Sequence, residues 1–360
     1  MSKMVTLSAC DCVEVDGYLY FFSVDFNLLY KLEISTGEIS LLSSIPEENI
    51  FAERRCIKLV YYKDYLYLAP LTADKIWRYC LTDGSWKGYE LKKLPGYKGI
   101  NAFCDAVLYD EKIFFIGCRY PAIVILDLNT DELQYCENVF TNHLRELADL
   151  SIDSFFICEG VVNNNLIYMA SCLSNMVMIF NMDTLECEYV SVGNERNCYS
   201  GIGYDGSYFY LSPRKKRDAV RWDGGNGFEN IEMQYLTAND DTAKVGVFCG
   251  EGKVTFFGMY GDRFKDTSNG ICTLHDKYRF YKTIKSNTFV SLESIGNLTI
   301  KRNDEVYMHS LQVYETVLRE YIRGEIKKRG GYFENIGSEK KNEVLTENDR
   351  LSLKLFTEII

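Results

Sequence analysis

Polar turns followed by short aromatic and aliphatic runs recur along the chain: VDGYLYFFSV at 15–24, YKDYLYLAPL at 62–71, YDEKIFFIGC at 109–118, NNNLIYMASC at 163–172 and YDGSYFYLSP at 204–213. Taking the second residue of each polar turn as a marker gives Gly17, Asp64, Glu111, Asn164, Gly206, Gly252 and Gly296, at intervals of 47, 47, 53, 42, 46 and 44 residues. The run after each marker predicts a strand, as at 18–22, 65–68, 113–116, 166–169, 208–211 and 254–257. Such runs are apolar at nearly every position rather than at every second one, the pattern of a strand covered on both faces.

A second landmark follows each of these strands. LLYKLEISTGEI (28–39), KIWRYCLTDGSW (75–86), AIVILDLNTDEL (122–133) and MVMIFNMDTLEC (176–187) each read as strand, short polar turn and strand, with AVRWDGGNGF (219–228) and ICTLHDKYRF (271–280) as weaker copies. Thr-Gly, Asp-Gly and Gly-Gly supply the left-handed backbone positions that tight hairpins need. Every unit thus holds four antiparallel strands, and one such sheet cannot bury both its faces alone, whereas a ring of them can. A period in the forties with regular turns is the mark of such an array. The expected fold is all-β, a seven-bladed propeller of four-stranded antiparallel blades. Residues 289–309 supply the seventh blade, and six blades are the alternative. On these turns and strands the chain resembles the β-propeller superfamily, most nearly its kelch-like members, over about residues 8–310. That resemblance implies a platform that binds protein partners or carbohydrate-related ligands, though propellers carry many unrelated activities.

Past residue 310 the pattern changes. LQVYETVLREYIRGEIKKRGG (311–331) sets Val313, Val317, Tyr321, Ile322 and Ile326 at helical spacing, and Gly330-Gly331 marks its end, with an outer strand of the seventh blade over 313–322 as the alternative. TENDRLSLKLFTEII (346–360) offers a second helix, capped by Thr346, with Leu351, Leu355 and Ile359 on one face. The chain therefore divides into a propeller at 1–310 and a C-terminal helical extension at 311–360. Val317 and Tyr321 are expected to face the propeller, and 4–7 to serve as an outer strand in ring closure.

With 51 acidic against 40 basic side chains the net charge is −11, which argues against a general nucleic-acid binder. No run reaches the roughly 18 apolar residues of a membrane span, and the first residues lack an apolar export segment. Thirteen cysteines are scattered singly among apolar neighbours, apart from Cys10 and Cys12. They read as reduced core thiols of a cytoplasmic protein without a required disulfide. His143, His275 and His309 lie far apart in different units, so no metal site and no cofactor is expected. WDGGNG (222–227) sits at an outer hairpin, where turn-making accounts for its glycines.

Two sets of residues carry candidate chemistry. Asp11, Asp105 and Glu159 each stand five or six residues before their turn marker, on the strands that would line the central channel, with Lys58 in the comparable place of the second unit. Carboxylates held close there would suit a carbohydrate-active hydrolase or a lyase-like enzyme, with Asp11, Asp105 and Glu159 as catalytic residues. The other set lies in the connections expected to emerge on one face of the ring. Arg55, Asn101, Arg119, Tyr120, Arg196 and Arg214 are the candidate ligand-binding residues, accompanied by Arg54, His143, Arg145, Tyr97, Tyr199 and the RKKR run at 214–217. Guanidinium groups suit carboxylates, phosphates and acidic sugars, and the rings of Tyr97, Tyr120 and Tyr199 offer faces on which a ligand would stack. The favoured expectation is a non-enzymatic binding or scaffold protein that presents this face to a partner protein or a polar, anionic small molecule or carbohydrate. The enzyme is the alternative.

Overall fold

The computed structural model describes residues 3–95, 97, 99–140, 154–235, 245–250, 252–258, 264–265, 272–275, 278–285, 288–293 and 296–328. Five four-stranded antiparallel sheets follow one another in sequence, formed by residues 9–43, 56–90, 103–136, 161–191 and 199–231, and a further one by 278–310. These are blades one to six. Their innermost strands succeed one another round a central channel, and the last returns to pack beside the first.

The turn markers behave as hairpin positions because their backbones are left-handed. Asp16 and Gly17 (φ 49° and 83°) join Val15 to Tyr18, and Asp110 and Glu111 (φ 44° and 55°) join Tyr109 to Lys112. Positive φ at both central residues matches the twist of the strands that such a turn connects. Asp64, Asn164, Gly206 and Gly252 likewise lie between the first two strands of their sheets. Gly296 does not. It lies between the second and third strands of blade six, Thr288–Glu293 and Asn297–Arg302.

The expectation of seven four-stranded blades is corrected to six. The stretch read as a hairpin at 271–280 is divided between two sheets. Cys272–His275 pairs in parallel with Lys253–Gly258, whereas Tyr278–Lys285 is the innermost strand of blade six. A parallel pair cannot be closed by a tight turn and needs a longer crossover. Among the described residues the sixth unit is accordingly a three-stranded mixed sheet between blades five and six rather than a four-stranded antiparallel blade.

The core lies between blades. Phe22 and Leu29 of blade one pack on Leu66, Leu68 and Trp77 of blade two, and Phe114 and Ile116 of blade three pack on Ile167 and Met169 of blade four. Ile113, Phe114, Phe115 and Ile116 are all inaccessible to solvent, since their strand is sandwiched by both neighbours. Each such side chain contributes about 1.5–3 kcal/mol by leaving water.

Ring closure draws on both ends of the described chain. Met4–Thr6 pairs with Gln312–Tyr314 in a two-stranded ribbon of its own, not as a blade's outer strand. A helix, Glu315–Lys328, follows at once. Its buried face is formed by Leu318 (1% exposed) and Ile322 (0%), with Tyr321 and Ile326 partly buried beside them, against the core shared by blades six and one. Tyr321 thus faces the propeller as expected, but Val317 is 51% exposed and points away. The second helix expected at 346–359 lies outside the described residues.

Candidate functional site

The innermost strands carry irregularities in register where their polar residues stand, at Ala9/Cys12, Cys56/Lys58, Phe103/Asp105 and Tyr199/Gly201. A bulge gives one strand an extra residue and turns its side chain out of the normal alternation. Here the turned side chains reach the next blade. Asp11 accepts a hydrogen bond from the Leu59 backbone N–H (2.8 Å), and Asp105 accepts one from that of Gly160 (2.8 Å). The Ser200 hydroxyl takes the Val245 N–H (3.1 Å) and donates to the Val245 carbonyl (2.6 Å). Lys58 joins three blades, contacting Asp105 at 3.4 Å and Glu159 at 2.6 Å. Lys282 of blade six pairs with Asp11 and donates to the Cys12 carbonyl at 3.2 Å. The result is a chain of polar bonds from blade six through blades one, two and three to blade four.

Asp105 and Glu159 are therefore brought together on one ammonium group, and Asp11 stands on another. Burial, together with the neighbouring Glu159, raises the Asp105 carboxyl despite Lys58 and two backbone donors. Burial alone would raise Glu159 too, but Lys58 and Lys282 outweigh it and hold its carboxyl at about 2. Burial alone would lower Lys58, yet Glu159, Asp105 and Asp11 keep it well above its ordinary range. Glu159 differs from the other carboxylates in access. Its side chain is 43% exposed, whereas those of Asp11 and Asp105 are buried.

This splitting has a pH signature. Lys58 and Lys282 hold the folded Glu159 carboxyl below its ordinary 4.5, so its stabilising contribution, kept small by solvent screening of a side chain that is 43% exposed, is complete above about 4.5 and is lost as pH falls toward 2. The raised Asp105 acts with the opposite sign. Urea denaturation across that window should show a shallower acid loss in Glu159→Gln than in the parent chain. Parallel profiles would rule out the Lys58 pairing.

Around these groups runs a cavity of about 640 Å³, lined by residues from all seven innermost strands. Lys58, Glu159 and Lys282 face it, with Arg54 where it meets the connecting loops, and Ile57, Ile202, Val247 and Phe248 as apolar wall. Gly203 lets the innermost strands of blade five and the mixed sheet approach, since a Cβ there would strike Cys249, while a Cβ at Gly201 or Gly246 would strike Ser212 or Phe257 of its own sheet. A larger groove, about 970 Å³, lies between the outer strands of blades three and four, away from the charged cluster.

The loop residues fall into two groups. Arg55 is tied down, its Nε donating to the Glu48 carboxylate and its Nη1 to Thr72 Oγ1 at 3.3 Å. Tyr120 is wholly buried, donates to the Lys92 carbonyl at 2.6 Å, and packs on Tyr97 and Phe103. Its expected role as a stacking platform is corrected to a core role, because no ring face is open. Tyr199 is buried in the same way, donating to the Val192 carbonyl at 2.5 Å. Asn101 is half-buried in a left-handed conformation (φ 50°), and its carbonyl accepts the Arg119 N–H at 2.9 Å. Arg196 is exposed and Arg214 half-buried. Arg119, of blade three, donates from Nε to Ser154 Oγ at 3.4 Å; its charge and that of Arg214, of blade five, both act to lower the Cys118 thiol, which burial nevertheless pushes up. His143 and Arg145 lie outside the described residues. Lys282 was not singled out in the sequence, although it stands where Lys58 does once Tyr278–Lys285 is recognised as an innermost strand.

The described cysteines are free thiols, and burial raises those of Cys12 and Cys172 to about 12, so they stand as inert core groups. Among the described residues no group of three or more His, Cys, Asp or Glu is placed to hold a metal ion. None of the described helices is long and apolar enough to cross a membrane.

No family model matches the chain. No curated protein matches it either. Solved structures do resemble it. U3-55K superposes with a TM-score of 0.52 at 8% identity, over 81% of this chain and 91% of that one. BamB from Moraxella catarrhalis gives 0.51 at 13%, over 81% and 83%. Virginiamycin B lyase from Staphylococcus aureus gives 0.51 at 12%, over 86% and 88%. At such identities the likeness concerns the fold alone, and one of the three is named as an enzyme, so it does not choose between binding and catalysis. The kelch-like resemblance is accordingly broadened: the chain has the β-propeller fold.

Proposed function

We propose that the protein is a binding or scaffold protein that presents the loop face around its channel mouth to a partner protein or a polar, anionic ligand. The observation that carries this reading is the placement of Arg119, Arg196 and Arg214 in strand connections of non-adjacent blades, exposed or half-buried, with the charges of Arg119 and Arg214 both felt at the Cys118 thiol. On a chain of net charge −11, guanidiniums gathered at one rim focus a local positive potential. Arg196 and Asn101 extend the same polar surface. Arg55 contributes through the loop it braces, and Tyr120 through the core beneath.

A heparin column serves as a probe of that potential. The parent chain should be retained at low salt despite its net charge, and the Arg119→Gln/Arg214→Gln variant should elute earlier with an unchanged melting temperature. Passage of both straight through, or elution at the same salt, would sink the reading.

The enzymatic alternative has one observation in its favour, the splitting of Asp105 upward and Glu159 downward. Against it, Asp11 and Asp105 are engaged by backbone donors and ammonium groups and do not line the cavity. Glycosidic chemistry asks for two carboxyl groups facing the substrate, and Glu159 is the single one of the three that does.

A further inference from the structure

The channel has a charge pattern that the loop face does not share. Its two lysines are mostly buried and engaged, Lys58 by Asp105 and Glu159 and Lys282 by Asp11. What remains open to the cavity is one charge of each sign. Arg54 lines it and has no acidic partner among the described residues. Its backbone is held at φ 51°, a left-handed conformation that non-glycine residues seldom adopt and that recurs at ligand clamps. Glu159 uses Oε2 for Lys58, and Oε1 has no hydrogen-bond partner among the described residues. The lining also includes the apolar side chains of Ile57, Ile202, Val247 and Phe248. The volume, about 640 Å³, falls within the range of small-molecule sites.

A simple anion entering this space would meet Glu159, and a simple cation would meet Arg54, so each is opposed by a like charge. A molecule carrying both charges is opposed by neither. We propose that the channel binds a small apolar zwitterion, an α-amino acid or short peptide with free ends, its carboxylate on Arg54, its ammonium on Glu159 Oε1 and its side chains against the apolar wall. Charge-assisted hydrogen bonds at both ends would fix its direction. This goes beyond the loop-face reading and does not need Arg119 or Arg214.

Calorimetric titration with leucyl-leucine, its N-acetyl derivative and its C-terminal amide tests the assignment on the full chain. Each blocked form should bind at least about tenfold more weakly than the free dipeptide. Arg54→Asn, a residue at ease in the left-handed region, should weaken leucyl-leucine by about tenfold and abolish the penalty for amidation. Glu159→Gln should abolish the penalty for acetylation. Should that variant fail to fold, Arg54→Asn still decides, because Arg54 has no side-chain partner among the described residues to lose. Arg119→Gln should leave the affinity unchanged, which separates a failure of this site from a failure of the loop face. The proposal is overturned by absence of saturable heat for leucyl-leucine at millimolar concentration, by equal binding of all three compounds, or by a loss in Arg119→Gln as large as in Arg54→Asn.

Discussion

Asp105→Asn should lower the unfolding free energy by about 1–3 kcal/mol, the cost of leaving a buried backbone donor without its acceptor, while Glu159→Gln, open to solvent in the channel, should cost less than about 1 kcal/mol. The two carboxylates share Lys58 but differ in surroundings. Asp105 is buried and also satisfies the backbone N–H groups of Ala106 and Gly160, each at 2.8 Å. Asparagine keeps the shape, removes the charge, and turns a donor toward groups that are themselves donors. Lys58 retains Glu159, which keeps the loss from reaching the top of the range. Glu159 opens to the channel, where solvent screens it. Urea denaturation of both variants, with Lys58→Met added to close a double-mutant cycle, measures the coupling directly. Equal costs for the two carboxylates would show that the difference in burial does not govern the network.

A second large effect belongs to the helix. Ile322→Ala should cost about 2–4 kcal/mol, as expected for truncating a fully buried aliphatic side chain, and Val317→Asp should stay within about 0.5 kcal/mol. Ile322 and Leu318 fill the core shared with Leu28, Leu32, Val290 and Ile300, so the loss acts on ring closure rather than on one blade. Chemical denaturation of both variants is sufficient. A Val317→Asp chain as damaged as Ile322→Ala would mean that the helix presents its other face.

The turn-and-strand phrase made blades one to five legible because left-handed turns and doubly covered strands are local properties. Residues 271–280 were misread for the converse reason. Strand, turn and strand look the same whether the two strands pair with each other or belong to different sheets, and that choice depends on long-range pairing. The helix was placed correctly but its inward face less so. Val317 and Leu318 occupy adjacent stripes, as do Tyr321 and Ile322, and only the surface they meet decides between them. At the channel, register alone placed Asp11, Lys58, Asp105 and Glu159. Their engagement by neighbouring backbone was not visible, since it arises from bulges that spacing does not report. Tyr120 looked like a platform because it lies in a connection, whereas its burial comes from Tyr97, Phe103 and Tyr135 folding over it.

The ribbon that closes the ring sets how the molecule answers to tension. Met4 stands opposite Tyr314 and Thr6 opposite Gln312, so the chain enters and leaves at the same end of the pair. A load applied before Lys3 and after Glu315 first meets the bond from the Glu315 N–H to the Lys3 carbonyl (2.9 Å) and then breaks the ribbon's hydrogen bonds one after another, as a zip opens, instead of shearing them together. Next along the line is the bond from the Leu7 N–H to the Leu311 carbonyl (2.7 Å), behind which blades six and one meet through their shared side chains and the contact of His309 Nε2 with the Ile34 carbonyl (2.8 Å). Pulled from its ends, the circle has a defined point of weakness, and it is the seam at which the first and last blades meet.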